Sequence, residues 1–144
     1  MKKIFSKIEP NILLHIICKK NDLDILNKAE DGRTDIAPEN EFLQVSAMKM
    51  SEGRTFRPHK HIRMDRKTTI TQESWVIING SVKAILYDLD DTIIADEILN
   101  TGDISITFRG GHNYQILEND TLVYEYKTGP YMGQKLDKTF IEND

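Results

Sequence analysis

The chain has 144 residues, a formal net charge of -4 at neutral pH and a pI of about 5.6. That length predicts one domain able to bury its own core, and a single cysteine, Cys18, excludes an intramolecular disulfide. The acidic balance argues against general nucleic-acid affinity, which needs an extensive basic surface.

The N-terminal stretch MKKIFSKIEPNILLHIICKKNDLD carries an early lysine pair and the apolar run ILLHIIC. The run is too short to span a membrane and no small-residue cleavage site follows it, so a cytoplasmic protein without membrane association is expected. NILLHIIC suits either a strand or a helical turn, and periodicity leaves both open. Apolar residues at 23, 25, 26 and 29, behind Asn21 or Asp22 as cap, predict a short helix over 21–31. GRTDIAPEN reads as loop, punctuated by Gly32 and Pro38. Residues 1–40 are thus expected to form an N-terminal extension with a short helix, ahead of a β domain over 41–144.

From residue 41 the pattern is of strands. EFLQVSAMKM alternates, with Phe42 out of phase with Val45 and Ala47, which leaves a bulge or a doubly buried edge open there. RTFRPHKHI, ESWVIINGSVKAILYDLDDTIIADEIL, GDISITF, HNYQIL and TLVYEYK follow. Turn signals separate them: NGS at 79–81, LDD at 89–91, NTGD at 100–103, RGG at 109–111 and END at 118–120. Short β-branched and aromatic strands at this spacing predict an antiparallel sandwich or small barrel.

One stretch runs against the acidic balance. Between Arg54 and Lys67 stand Arg54, Arg57, Lys60, Arg63, Arg66 and Lys67 against one acid, Asp65. It reads either as a solvated loop or as an anion-binding mouth suited to phosphate or carboxylate. On a strand, His59 and His61 share a face with Arg57 and Arg63, while Lys60 points the other way. Two imidazoles about 7 Å apart can share a metal if a neighbouring strand brings a third ligand. H-x-H alone is weak evidence for that and fits a structural or surface role better.

More of the sequence bears on that choice. Gly53 precedes His59 by five intervening residues, Glu73 is followed after six by Gly80, and Gly102-Asp103 opens a strand that ends in FRGGH at His112. This order resembles the two signature motifs of the cupin superfamily. The C-terminal VYEYKTGPYMGQKLDKTF, a G-P-Y followed by D-K and an aromatic, looks like the WbuC-like small cupin-fold metalloproteins associated with bacterial surface-polysaccharide synthesis. The likeness covers residues 41–141. It departs from the usual pattern in having eleven residues between His61 and Glu73, and in having Phe108 where the second motif has proline. Asp65 competes with Glu73 as the carboxylate; Glu73 is preferred because E-x6-G and the strand ESWVIINGSV hold there.

The resemblance implies a single cupin jelly-roll barrel in which His59, His61, Glu73 and His112 bind one divalent metal. Fe, Mn, Ni and Zn all suit such a set. Arg57, Arg63 and Tyr114 are expected to bind ligand, and Tyr114, Glu125 and Lys127 to supply acid–base groups. The leading expectation is a metal-dependent cupin acting on a nucleotide-sugar or sugar phosphate as isomerase or epimerase. A non-catalytic metal- and sugar-binding accessory cupin, or an Fe(II) dioxygenase of a small acid, are the alternatives. His15 is expected to be a packed or surface histidine without a role, and Cys18 to belong to the core. A homodimer is expected, with the apolar ILLHII segment covered by the partner.

Overall fold

The computed structural model describes residues 1–142, and they form antiparallel sheets throughout. In chain order the strands are β1 (Lys2–Phe5), β2 (Leu13–Cys18), β3 (Gly32–Asp35), β4 (Ser46–Lys49), β5 (Glu73–Asn79), β6 (Ser81–Tyr87), β7 (Ile93–Asn100), β8 (Ile104–Thr107), β9 (His112–Ile116) and β10 (Leu122–Lys127). One short helix, α1 (Gln134–Asp137), follows. A five-stranded sheet in the order β1-β2-β8-β5-β10 faces a three-stranded sheet in the order β7-β6-β9, with β3 and β4 paired separately. The sheets do not close into one barrel. Among the described residues no helix is long and apolar enough to cross a membrane.

Two cores explain the apolar pattern. Ile4, Ile17, Ile77, Val82, Ala84, Leu86 and Leu99 pack between the two larger sheets. Ile16, Cys18, Ile36, Ala37, Ile106 and Phe108 pack on the outer face of the five-stranded sheet, under the chain around β3 and β4. Neighbours Ile16 and Ile17 thus serve opposite cores, so β2 is buried on both faces. This is why ILLHIIC is a continuous apolar run without alternation. The run needs no partner subunit to cover it, because Leu14 to Cys18 are buried within this chain.

The helical N-terminal addition is corrected. Residues expected to be helical over 21–31 form only two short 3-10 turns, Lys20–Asp22 and Asp24–Asn27. The four apolar positions there give less than two turns of helical face, and Ile25 alone becomes buried. The first strands instead belong to the main sheet, since β2 pairs with β8 from His15↔Thr107 to Cys18↔Ile104. GRTD, read as loop, is β3, and RTFRPHKHI, read as strand, has no regular structure. The expected turns are all present, and each holds a residue with positive φ: Gly80, Asp91, Gly102, Gly110 and Asp120.

Candidate functional site

Register places the site. Across the inner face of the five-stranded sheet, His15 pairs with Thr107, Thr107 with Glu73, and Glu73 with Lys127. One step along lies the row Ile17, Ser105, Trp75, Glu125. Because side chains of one row share a face, the sheet presents Glu73, Trp75, Glu125 and Lys127 together. Opposite them β9 presents His112 and Tyr114, held by pairing to Leu86 and Ala84 of β6. The result is a pocket of about 520 Å³ at the end of the inter-sheet core, whose walls include Glu73, Trp75, His112, Tyr114, Glu125 and Lys138.

Its centre is tied by hydrogen bonds. His112 Nε2 lies 3.1 Å from Glu73 Oε1. Trp75 Nε1 donates to the same oxygen at 3.1 Å and to Glu125 Oε2 at 3.3 Å. The Trp75 indole stacks on the Tyr114 ring, with centroids 4.0 Å apart and planes 13° from parallel. Burial alone would push the Glu73 carboxyl up, but the His112 hydrogen bond and charge, helped by Lys127 and Lys138, hold it below the ordinary carboxylate range. Burial pushes the Tyr114 phenol far above its ordinary value, and its hydroxyl donates to Ser105 Oγ at 3.1 Å. Tyr114 is therefore a neutral wall. Lys127 bridges Glu125 at 3.4 Å and Asp137 at 3.8 Å and lies 4.5 Å from the Tyr131 ring centroid.

The segments that deliver Glu73 and His112 are braced by one buried carboxylate. Glu41 accepts from Arg109 Nη1 at 2.8 Å and from Gln72 Nε2 at 2.6 Å. Gln72 immediately precedes Glu73, and Arg109 opens the turn that ends at His112. That turn leaves no room for a side chain: at Gly110, with φ of 76°, a Cβ would stand 2.5 Å from the Tyr87 carbonyl. Gly110→Ala is expected to destabilise the fold by at least about 1–2 kcal/mol from the left-handed backbone alone, with the clash adding to it. A urea midpoint unchanged from wild type would show that the turn relaxes freely.

The expected site residues divide into two groups. Glu73, His112, Tyr114 and Glu125 come together in the pocket, with Lys127 beside them. His59 and His61 lie next to each other, with ring centroids 5.6 Å apart, on an exposed stretch that also carries Arg57, Arg63 and Asp65. His59 Nδ1 is 3.0 Å from the Arg57 carbonyl. Among the described residues no three His, Cys, Asp or Glu side chains are grouped so as to hold a metal. His112 and Glu73 offer two donors, two short of the four that the resemblance implies.

Other pocket residues were missed from sequence. Trp75 is two positions from Glu73, and strand parity was sufficient to place it on the same face. Lys138, Thr139, Phe140 and Ile141 reach the pocket from the C-terminal tail, a long-range return that no local pattern encodes. His15 is also more than packing: buried, it sits 3.0 Å from both Thr107 Oγ1 and the Tyr87 carbonyl. No protein-family model matches the chain, and neither the curated proteins nor the solved structures contain a significant match to it.

Proposed function

We propose that the inter-sheet pocket binds an activated or anionic sugar, a nucleotide-sugar or sugar phosphate, in a cupin-like protein of bacterial surface-polysaccharide synthesis. The observation that carries this reading is the convergence of an aromatic wall, two carboxylates, an imidazole and a lysine in one half-open cavity. Aromatic faces cover the apolar C–H surface of a sugar ring, carboxylates accept from its hydroxyls, and Lys138 offers charge to a phosphate or carboxylate. Phe140, 74% exposed on the same rim, adds a further free ring. The antiparallel sheets are compatible with a jelly roll, and the motif resemblance supplies the cupin part of the proposal.

For isomerase or epimerase chemistry, Glu73 is the group to take a proton from a carbon beside a carbonyl. The resulting enolate oxygen would be met by a donor such as His112 Nε2–H or Lys138, and the proton returned to another carbon or face gives the product with no net redox change. The four-ligand metal set does not fit the donors as they are arranged, so this step uses the chain's own side chains. A metal at Glu73 and His112 would require His59 and His61 to be carried in from the exposed stretch. One observation favours the accessory reading over catalysis: a carboxylate held below its ordinary range is a weak base. The exposed placing of Arg57 and Arg63 leaves Lys138 as the cation on the pocket wall.

Calorimetry of the full chain against UDP-glucose, glucose 1-phosphate, glucuronate, neutral glucose and a small dicarboxylic acid tests the proposal. Binding of the charged sugars, weakened by Lys138→Ala, is the expected result. Binding of neutral glucose alone, or of the dicarboxylate alone, would overturn it. Proton exchange at the carbon beside the carbonyl of a keto-bearing nucleotide-sugar, followed by NMR in deuterated water, then separates enzyme from accessory protein. A rise in melting temperature with Fe(II), Mn(II), Ni(II) or Zn(II), lost more in Glu73→Gln than in Asp65→Asn, would place a metal on the pocket pair.

A further inference from the structure

Residues 51–70 are exposed without interruption. Among the described residues, none from 55 to 71 makes a backbone–backbone hydrogen bond. Local bonds are few: the His59 imidazole with the Arg57 carbonyl, and the Thr68 hydroxyl with the Ile70 carbonyl. The stretch is mostly polar, as a solvated loop is expected to be, but it also exposes large apolar side chains. Phe56, Ile62 and Met64 are 58%, 80% and 62% exposed. Where the stretch rejoins the fold, Ile70 lies near Met132 and Leu136, also exposed, in a shallow groove. Apolar side chains and unpaired backbone on one arm are the marks of a segment that completes its bonding elsewhere.

Charge indicates where. Residues 55–71 hold five Lys and Arg against Asp65 alone, a net +4 that leaves -8 on the rest of a chain whose total is -4. Tethered at both ends, seventeen residues can project their middle at most about 30 Å from the body, enough to lie along the surface of a neighbouring copy. We propose that residues 55–71 form an arm that docks on a second copy of this chain, giving a two-fold dimer through reciprocal exchange. In a two-fold pair each basic arm meets the other copy's acidic body, so one patch satisfies both partners. An anionic polymer such as nucleic acid would match the cations but would meet the acidic body as a repulsive surface and leave Ile62 and Met64 uncovered. This proposal is independent of what the pocket binds, and it replaces ILLHII as the reason to expect a homodimer.

Sedimentation velocity on the full chain, in low salt and in 0.5 M salt, is the test. A dimer at micromolar concentration, weakened by salt, is expected. Arg63→Glu/Arg66→Glu should raise its dissociation constant at least about tenfold, and Ile62→Ser/Met64→Ser should weaken it in a salt-independent way. Both variants should keep the wild-type circular dichroism and melting curve at monomeric concentrations, since the side chains are exposed. A monomer at high micromolar concentration in both salts would overturn the proposal. So would a dimer indifferent to both arm variants, or a monomer whose arm binds duplex DNA.

Discussion

Between pH 7 and pH 4 the protein is expected to lose about 3 kcal/mol of unfolding free energy through one side chain, His15. Burial lowers its pKa from 6.5 to about 4, against the opposing hydrogen bond to the Tyr87 carbonyl, with the His112 charge lowering it further. A backbone carbonyl can only accept, so Nε2 carries the proton and Nδ1 accepts from the Thr107 hydroxyl. That is the neutral tautomer, fully bonded. Well above pH 6.5 the imidazole is neutral whether the chain is folded or not, and it contributes no pH dependence. Between 6.5 and about 4 the unfolded chain binds a proton that the folded chain refuses, so stability falls as pH falls. The slope is at most about 1.4 kcal/mol per pH unit, and it ends near pH 4, where both states are protonated.

The carboxylates act in a different window. Glu73 and Asp88 are held below their ordinary values of 4.5 and 3.8, so the stability they confer is present above those values and lost only as pH falls through the lower folded ones. Urea unfolding at pH 7, 6, 5 and 4.5 therefore isolates the histidine. His15→Gln should be less stable than wild type at pH 7, where it loses the Tyr87 and Thr107 bonds, yet lose markedly less stability than wild type from pH 7 to 4.5. Parallel curves for the two proteins would show that His15 does not titrate there.

The same histidine shows what a linear sequence conveys and what it conceals. Its apolar setting was legible, because a lone imidazole inside ILLHIIC has apolar neighbours on both sides, but that setting left burial and surface exposure both open. Its partners were not legible, since Thr107 and Tyr87 lie 92 and 72 residues away. Turn chemistry was the most legible feature, because a positive φ demands Gly, Asn or Asp and those residues stand out. Strand parity within HNYQIL and VYEYK correctly put His112 with Tyr114 and Glu125 with Lys127, for the side-chain period of a strand is local, while Trp75, two positions from Glu73, was missed. Parity failed over 54–62, where alternation in RTFRPHKHI requires a neighbouring strand to become structure, and this fold supplies none. Helical spacing at 21–31 failed similarly: the pattern was present, but the following strands β3 and β4 capture the chain before a helix can propagate.

The largest effect on ligand binding is expected from Trp75. It is the only tryptophan, and it joins the three parts of the pocket: stacked on Tyr114, donating to Glu73, donating to Glu125. Removing a desolvated aromatic anchor from a binding site costs roughly 2–4 kcal/mol, about thirty- to a thousandfold in affinity. Trp75→Ala should therefore abolish charged-sugar binding at millimolar concentrations. Trp75→Phe keeps a ring to cover the sugar but loses the indole N–H, and should retain affinity within about tenfold, the scale of one or two hydrogen bonds. Glu125→Ala removes a half-exposed carboxylate at the rim and should cost less than Trp75→Ala. In the wild type the same indole reports binding directly, because any ligand against it must change the chain's tryptophan fluorescence. If Trp75→Ala still binds the charged sugars while Glu125→Ala does not, recognition lies with the rim carboxylate, and the aromatic wall is only the end of the hydrophobic core.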